Sequence, residues 1–252
     1  MSAVLVIAGS DSSGGAGVVR DVRTLADLGV RALCAVTAVT AQTDAALLAT
    51  HVVPEAVVRA QIAAAFATTA VTAVKIGMLA TAASVRAVSE CLAPHAHLPV
   101  VLDPVLVSSS GGGLLDLAGR ERLVAELLPR AALVTPNLPE AALLLGVSPA
   151  RDEAAALEQA EELLRRGARA VLLKGGHAGG PESVDLLFAR GVPTKRLSAP
   201  RIRAQLRGSG CALASAIAAY LAQQVPLAEA CARAKNYVTG LLQQAAAASV
   251  AS

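Results

Sequence analysis

The residues best suited to chemistry lie in the stretch from 207 to 217, which reads RGSGCALASAI. A glycine-rich turn that leads into a helix directs free backbone N–H groups and the positive end of the helix dipole at one place, and that place favours an anion. Gly208, Ser209 and Gly210 form the predicted turn. Cys211 follows at the start of the helix, where the same field is expected to lower the pKa of the thiol. The stretch predicts an anion site beside a possible base; the alternative is an ordinary loop next to a small buried cysteine.

Further polar residues follow three apolar runs that are typical of buried strands. Asp103 follows one run, Asn137 and Glu140 follow the second, and Lys174 follows the third. In open α/β sheets ligands bind beyond the carboxyl ends of the strands, so we expect these side chains to meet at one crevice. The carboxylate of Asp103 suits magnesium or phosphate-associated water. Asn137 and Glu140 either take part in a metal–water site or cap a helix.

The N-terminal segment has the order of strand, glycine-rich loop and helix. The loop reads GSDSSGGAG, and it has neither the Lys-Ser/Thr ending of a P-loop nor the GxGxxG spacing of a dinucleotide-binding loop. Asp21 lies on the first turn of the following helix, where its carboxylate either stabilises the dipole or faces a ligand. Gln42 ends the next predicted strand, and its amide has the donor and the acceptor that recognition of a heterocycle edge requires, unless it is simply solvated.

The elements that must position these residues alternate between strand and helix along the whole chain. This order predicts one α/β domain over residues 1–252, with three layers and a mostly parallel central sheet. Two runs near 184–198 are typical of an antiparallel hairpin that completes the sheet. Thr81 is expected to cap a helix, and the last helix is expected from Pro226 to about Gln244.

Composition limits the classes of function. The chain has 252 residues, a net charge of +3 and no long basic run, so no nucleic-acid partner is expected. The four cysteines lie far apart without a zinc-like spacing, so the sequence indicates neither a disulfide framework nor a structural metal site. Neither a signal peptide nor an apolar run of membrane-spanning length is present, so we expect a cytoplasmic protein without a membrane partner.

Several segments together resemble the hydroxymethylpyrimidine/phosphomethylpyrimidine kinases of thiamin biosynthesis, which belong to the ribokinase-like superfamily. The resemblance extends over almost the whole chain, in the segments IAGSDSSGGAG, TAVTAQT, VKIGML, VLDPV, VTPNLPEAALLLG, VLLKGGH, GSGC and AKNYVTG. It implies a ribokinase-like αβα fold. It also implies an enzyme that uses ATP and Mg²⁺ to phosphorylate the hydroxymethyl group of 4-amino-5-hydroxymethyl-2-methylpyrimidine and then to convert the monophosphate to the pyrophosphate.

The resemblance also assigns roles to residues. The pyrimidine site is expected to contain Ala16, Asp21, Gln42, Met78 and Val105. Magnesium and its waters are assigned to Asp103 and Glu140, and the ATP phosphates to Asn137, Lys174 and Ser209. The transferring phosphoryl group is assigned to the turn Gly208, Ser209 and Gly210, with Lys174 beside it and Cys211 as the base. The resemblance further implies a homodimer.

The chain departs from the family pattern at its anion turn. Arg207 stands where the family usually has histidine, and Ser209 stands where it usually has threonine. Arg207, and with it Arg203, either binds a substrate phosphate or belongs to a solvated basic loop. Two other functions remain open at this point: a pyridoxal or pyridoxine kinase of the same superfamily, and a non-catalytic protein that senses the pyrimidine.

Overall fold

Apolar runs of the chain form the strands of one nine-stranded sheet in the computed structural model, which describes residues 2–43, 45–107, 112–175 and 180–251. The strands are β1 (Ala3–Asp11), β2 (Arg31–Gln42), β3 (Leu47–Val52), β4 (Ala73–Ile76), β5 (Val100–Leu102), β6 (Leu133–Val134), β7 (Ala170–Lys174), β8 (Glu182–Ala189) and β9 (Val192–Pro200). Their order in the sheet is β3-β2-β1-β4-β5-β6-β7-β8-β9. The six strands from β2 to β7 in that order are parallel, and β3, β8 and β9 are antiparallel to their neighbours.

Helices cover both faces of this sheet. They are α1 (Gly17–Asp27), α2 (Glu55–Thr68), α3 (Ala82–Leu92), α4 (Leu117–Arg122), α5 (Leu138–Leu145), α6 (Glu153–Arg165), α7 (Ser209–Ala222) and α8 (Leu227–Ala251). Helices α2, α3, α5 and α6 pack on one face, against a core that includes Leu5 and Ile7 of β1, and α4 packs against α3. Helices α1, α7 and α8 pack on the other face, against Val4 and Val6 of the same strand. Because successive side chains of a strand point to opposite faces, continuous apolar runs produce this three-layer αβα arrangement.

The predicted architecture is confirmed, including the hairpin of β8 and β9 and the helix cap at Thr81, whose side chain accepts a hydrogen bond from the N–H of Ser84. The sequence did not reveal β3. All but one of the residues of β3 are exposed, so the strand has no buried face to produce a pattern, and it is held by backbone pairing to β2 at the sheet edge. The last helix extends beyond the expected end at Gln244, because the alanines that follow favour helix.

The topology places the ends of five neighbouring parallel strands together. Strands β1, β4, β5, β6 and β7 are adjacent in the sheet and run in the same direction, so the segments that follow them lie along one edge. Helix α7 packs against β1, β4 and β5, and it brings its first turn to the same edge. No helix in the ranges described above is long and apolar enough to cross a membrane.

Candidate active site

A pocket opens where the first loop, the ends of β2 and β4, and the start of α7 meet. Its lining consists of Ala8, Gly9, Ser10, Asp11, Ala16, Gly17, Thr40, Gln42, Lys75, Met78, Val105, Val107, Leu114, Arg207 and Cys211. The lining is largely apolar with a few convergent polar groups, which is the usual composition of a small-molecule site. The pocket therefore can hold a flat, mostly apolar ligand and present it to the thiol of Cys211.

Four of the five residues predicted to contact the substrate lie in this lining, namely Ala16, Gln42, Met78 and Val105. Asp21 does not belong to the lining: it lies behind the pocket, with no solvent exposure. Its carboxylate accepts hydrogen bonds from Lys75 Nζ and from Ser215 Oγ, each at 2.8 Å. Asp21 is thus part of a buried ion pair, which is neither of the two local roles that its position on the helix suggested.

The predicted anion turn adopts the conformation that its glycines permit. Gly208 precedes α7 with a left-handed φ of 72°, and its carbonyl accepts the N–H of Ala212. A Cβ at Gly208 would lie 2.4 Å from the carbonyl oxygen of Gly15, so the turn touches the first loop. Helix geometry leaves the first N–H groups of α7 without intrahelical acceptors, an arrangement that binds anions. The N–H of Ser209 donates to the carbonyl of Leu206, just before the helix, at 3.2 Å.

Gly208→Ala is expected to destabilise the protein more than Gly146→Ala. Both glycines have a φ of 72°. A Cβ at Gly146 would have no atom within 4 Å, whereas a Cβ at Gly208 would clash with backbone atoms of Gly15 and Ala16. The left-handed conformation alone costs about 1–2 kcal/mol for alanine, so Gly146→Ala measures that cost. Urea unfolding should show a clearly larger loss for Gly208→Ala, and turnover should fall only in that variant. Equal losses of stability would mean that the contact with the first loop is not tight.

Cys211 reaches the pocket from the first turn of α7, but the predicted direction of its pKa shift is wrong. Burial raises the pKa of the Cys211 thiol to about 11, although the charge of Lys75 and a hydrogen bond from the backbone of Gly17 oppose the increase. The negative charges of Asp21 and Asp103 add to the effect of burial. The helix dipole is too weak to reverse the rise in pKa that burial causes, because it typically stabilises a charge at a helix end by less than about 1 kcal/mol.

The polar residues predicted at the strand ends also come together, beside the anion turn. Lys174 Nζ lies 3.0 Å from Asp103 Oδ1 and 3.6 Å from Glu140 Oε2. A Cβ at Gly210 would lie 3.2 Å from the same Nζ, so Lys174 also reaches the first turn of α7. Burial alone would raise the pKa of Asp103, but Lys174 and Lys75 outweigh it and hold this pKa below its ordinary value. Burial raises the pKa of Glu140.

Asn137 and Glu140 form a capping box at the start of α5, so the capping interpretation of this pair is confirmed. Asn137 Oδ1 accepts the N–H of Glu140, and Glu140 Oε2 accepts the N–H of Asn137, both at 2.8 Å. The capping box does not remove Glu140 from the site, because the same carboxylate faces Lys174. The cap instead fixes the direction in which Glu140 points.

The carboxylates at this edge of the sheet limit the kind of metal site that the protein can form. Within the part of the chain that the structure describes, no group of three or more His, Cys, Asp or Glu side chains is gathered to hold a metal ion. Mg²⁺ is usually held by one or two carboxylates, water and substrate phosphates. Asp103 and Glu140 therefore fit a magnesium ion that arrives with a nucleotide, and they do not fit a metal site built from protein ligands alone.

Arg207 is folded over the pocket, which excludes the interpretation of a solvated basic residue. Its Nε lies 3.2 Å from Asp11 Oδ2, and its side chain is 13% exposed. A Cβ at Gly15 would lie 2.8 Å from its Cδ, so its aliphatic part covers the first loop. The carboxylate of Asp11 also accepts the N–H groups of Ser13 and Ala16. Arg203, in contrast, is exposed.

Three residues of the site were missed in the sequence. Asp11 is 5% exposed and organises the first loop, and the signal for it was a polar residue at the carboxyl end of a buried strand. Lys75 lines the pocket, and the signal was a lysine inside the apolar run AVKI. Ser215 follows Cys211 by one helical turn and gave no local signal. Gly176 and His177, which complete the segment VLLKGGH, lie outside the described residues.

Comparisons with known proteins agree with this geometry. The sequence profile of the phosphomethylpyrimidine kinase family matches residues 11–250. The chain is 46% identical over 242 residues to the hydroxymethylpyrimidine/phosphomethylpyrimidine kinase of Rhizobium meliloti, covering 96% of this chain and 90% of that protein. It is 45% identical over 243 residues to the thiamine biosynthesis bifunctional protein ThiED of Geobacter sulfurreducens, covering 96% of this chain but only 49% of that protein.

Solved structures show the same fold. Phosphomethylpyrimidine kinase from Clostridium difficile matches with a TM-score of 0.83 and 34% identity, over 96% of this chain and all (100%) of that chain. Pyridoxal kinase from Staphylococcus aureus in complex with pyridoxal matches with a TM-score of 0.88 and 30% identity, over 96% of this chain and 88% of that chain. The pocket, its thiol and the anion turn thus lie in a ribokinase-like fold, and the chain belongs to the phosphomethylpyrimidine kinase family.

Proposed function

We propose that the protein is a single-domain kinase that transfers phosphate from ATP to the hydroxymethyl group of 4-amino-5-hydroxymethyl-2-methylpyrimidine. It then adds a second phosphate to the monophosphate, as a step of thiamin biosynthesis. The observation that supports this most strongly is the pocket that places Gln42, Met78 and Cys211 around one space, directly beside the turn at Gly208. That arrangement holds a flat heterocycle and an acceptor hydroxyl next to a site for a phosphoryl group.

In this proposal the pyrimidine lies against Met78, Val105 and Ala16, and Gln42 contacts its polar edge. Met78 and Val105 provide apolar surface for the ring. The Gln42 amide can donate to a ring nitrogen and accept from an exocyclic amine. Thr40 Oγ1 lies 3.3 Å from Gln42 Oε1, but its single hydroxyl hydrogen is shared with the nearer carbonyl of Ser10 at 3.0 Å, so Thr40 orients that amide only weakly. Asp21 acts on the ligand through its neighbours and does not touch it.

The phosphoryl group is proposed to meet the N–H groups of Gly208 and Gly210, with Lys174 beside them, and the N–H of Ser209 once it leaves the carbonyl of Leu206. Phosphoryl transfer depends mainly on positioning and on stabilisation of charge, and backbone donors supply that stabilisation without rearrangement. The ammonium of Lys174 is close to Gly210 and to the carboxylate of Asp103, so it can bind an oxygen of the phosphoryl group when the nucleotide binds. Cys211 is the next residue in the chain, and its thiolate can accept the proton of the attacking hydroxyl.

Magnesium is proposed to be held by Asp103 and Glu140, together with water and the ATP phosphates, near Asn137. When bound, it would neutralise phosphate charge during the transfer. The chain's own contribution is to hold both carboxylates in place, Asp103 through Thr135 Oγ1 at 3.1 Å and Glu140 through the capping box. Solved structures of S. aureus pyridoxal kinase contain AMP-PCP and ADP, which supports ATP as the donor for this chain.

Product identification by phosphorus NMR tests the proposal. With ATP, Mg²⁺ and the hydroxymethylpyrimidine, we expect a phosphomonoester resonance to appear first and a pyrophosphate pair to follow. Pyridoxal is the second candidate substrate, because the pyridoxal-bound S. aureus kinase is a structural neighbour. If only pyridoxal yields a phosphomonoester, the pyrimidine assignment is wrong. If ligand binds and no product forms, the protein is a sensor and not an enzyme.

Arg207 is proposed to recognise the phosphate of the monophosphate substrate. Arg207 lines the pocket, where its guanidinium donates to the carboxylate of Asp11 and to the carbonyl of Thr43, and an arriving phosphate would take the place of one of these acceptors. A charge-assisted hydrogen bond contributes about 1.5–3 kcal/mol. Arg207→Gln should therefore raise KM for the monophosphate about tenfold or more, and KM for the unphosphorylated pyrimidine much less. Arg203→Gln, a change at an exposed arginine, is the control. An equal effect of Arg207→Gln on both substrates would contradict phosphate recognition.

Quaternary structure and compartment are further proposals. A homodimer is supported by exposed apolar side chains near the β3 edge of the sheet, which are Val39 (49% exposed), Leu48 (69%), Val52 (37%) and Val57 (47%). All four cysteines are unpaired, which supports the reducing cytoplasm as the compartment.

A further inference from the structure

Lys75 is a fully buried lysine in a strand whose other side chains are apolar. It lies in β4, between Val74 and Ile76, and its exposed fraction is 0%. A lysine is almost never fully buried unless its charge is paired. Its partner is Asp21 of α1, also fully buried, with a separation of 2.8 Å. Buried ion pairs are weak contributors to stability, and apolar replacements are often as stable. Stability alone therefore does not account for this pair.

The side chain of Lys75 borders the substrate pocket from within the protein, without solvent exposure. Lys75 lines the pocket together with Cys211 and Met78, whereas Asp21 does not. A Cβ at Gly77 would lie 2.8 Å from Lys75 Nζ, so the side chain runs along its own strand to the carboxyl end, where the pocket opens. Glycine at position 77 leaves the space that this ammonium occupies. The ammonium thus lies, buried, at the pocket end of its strand, and it pairs there with Asp21, which does not line the pocket.

The ion pair is also fixed to the helix that carries Cys211. Ser215 Oγ donates to Asp21 Oδ1 at 2.8 Å, and Ser215 is fully buried on α7. Residues four apart on a helix lie on the same face, so Cys211 and Ser215 both face the ion pair. Three elements, α1, β4 and α7, therefore hold the ammonium at one place relative to the thiol.

The charges around Cys211 come from several elements. Lys75 of β4 and Lys174 of β7 are positive, whereas Asp21 of α1 and Asp103 after β5 are negative. Burial by itself would lower the pKa of Lys75, but Asp21, Cys211 and Asp103 outweigh it, so the ammonium stays charged. Among the neighbouring charges, that of Lys75 has the largest influence on the thiol, and it favours the thiolate.

We propose that Lys75 is a positioning residue for the proton acceptor: its ammonium, held by Asp21 and Ser215, stabilises the thiolate of Cys211 in the substrate pocket. This inference rests on the proposed role of Cys211 in the kinase. The thiol loses its proton to solvent before the transfer, and the thiolate then takes the proton of the substrate hydroxyl as the oxygen–phosphorus bond forms and the bond to the leaving ADP breaks. Lys75 keeps its own proton throughout.

The test is the rate at which iodoacetamide alkylates Cys211 at pH 8, measured for each cysteine by peptide mass spectrometry on the full chain without substrate or nucleotide. The thiolate is the reacting form, so the rate follows the thiolate fraction. Lys75→Met should slow alkylation of Cys211 about fivefold or more, because one pKa unit corresponds to a tenfold change. Looser packing would increase the rate, so a decrease reports the lost charge. Cys91, which does not line the pocket, should react as in wild type.

Another buried ion pair, between Lys235 and Asp185, provides a matched control. Its two charged atoms are also 2.8 Å apart, and neither residue lines the pocket. Lys235→Met should leave the alkylation rate of Cys211 within about twofold of wild type, because Lys235 is not among the charges that act on the thiol. For comparison, a shift of one unit in the pKa of the thiol would change the rate about tenfold. If Lys75→Met does not fold, the double variant Asp21→Asn/Lys75→Met takes its place, with Asp185→Asn/Lys235→Met as its control. The expected slowing is then smaller, because loss of the Asp21 charge favours the thiolate, but it remains because Lys75 has the larger influence. Equal Cys211 rates in a variant and its control would overturn the inference. Because no kinase activity is measured, that result is distinct from failure of the proposed function.

Discussion

Cys211→Ala is expected to lower kcat for the hydroxymethylpyrimidine by about 10²- to 10⁴-fold, the usual contribution of a general base. The thiol lies in the pocket beside the anion turn, where it can reach the acceptor hydroxyl. Binding of the pyrimidine should persist, because Gln42, Met78 and Val105 remain in place. Steady-state ADP release gives kcat, and isothermal titration calorimetry gives the affinity of the variant for the pyrimidine.

Cys91→Ala is the control for the general effect of removing a cysteine. Cys91 is half-buried on α3 and does not line the pocket, so the variant should keep wild-type kcat. A Cys211→Ala protein that turns over at more than about one tenth of the wild-type rate falls outside the range of a general base. In that case the proton leaves by another route.

The direction of the pH dependence follows from the same thiol. Because the pKa of Cys211 is raised to about 11, the free protein holds the thiol at neutral pH, and the thiolate fraction rises with pH. Each pH unit below the pKa changes that fraction about tenfold. The rate constant kcat/KM should therefore increase between pH 7 and pH 9 in wild type, and the increase should be absent in Cys211→Ala.

Lys75→Met is expected to cost about 3–5 kcal/mol of unfolding free energy, because it leaves the carboxylate of Asp21 buried without its counterion. The side chains of both residues are 0% exposed, so water cannot replace the lost partner. The double variant Asp21→Asn/Lys75→Met removes both charges and keeps the volume, so most of the lost stability should return. Urea unfolding at pH 7 gives the free energy of unfolding of the wild type, of Lys75→Met and of the double variant.

The exposed pair of Arg196 and Glu153 provides the comparison. Its side chains are 54% and 61% exposed, and the separation is 3.2 Å. Surface ion pairs contribute little, so Arg196→Met should change the unfolding free energy only slightly. A similarly small effect of Lys75→Met would show that the buried pair is hydrated or that Asp21 is protonated in the folded state.

The sheet could be predicted where strands are buried on both faces. Strands β5 and β7 are apolar up to their carboxyl ends, and this pattern also revealed the polar residues at those ends, Asp103 and Lys174. Strand β3 could not be predicted, because an exposed edge strand is defined by backbone pairing and not by side-chain pattern.

The parts of the site that depend on contacts between distant residues could not be predicted from the sequence. Lys75 and Asp21 are 54 residues apart, and Ser215 is 194 residues from Asp21, so nothing local joins them. The direction of the Cys211 pKa shift was missed for the same reason. A helix start is visible in the sequence, whereas desolvation depends on which chain segments cover the thiol, and here it outweighs the helix dipole.

The most direct test of the account is ADP release by wild-type protein with four conditions side by side: the hydroxymethylpyrimidine, its monophosphate, pyridoxal and no acceptor. We expect both pyrimidines to stimulate ADP release well above the rate without acceptor, with kcat/KM for either exceeding that for pyridoxal. Pyridoxal exceeding both pyrimidines would contradict the proposed substrate, and equal release in all four conditions would contradict a kinase that acts on the pocket described here.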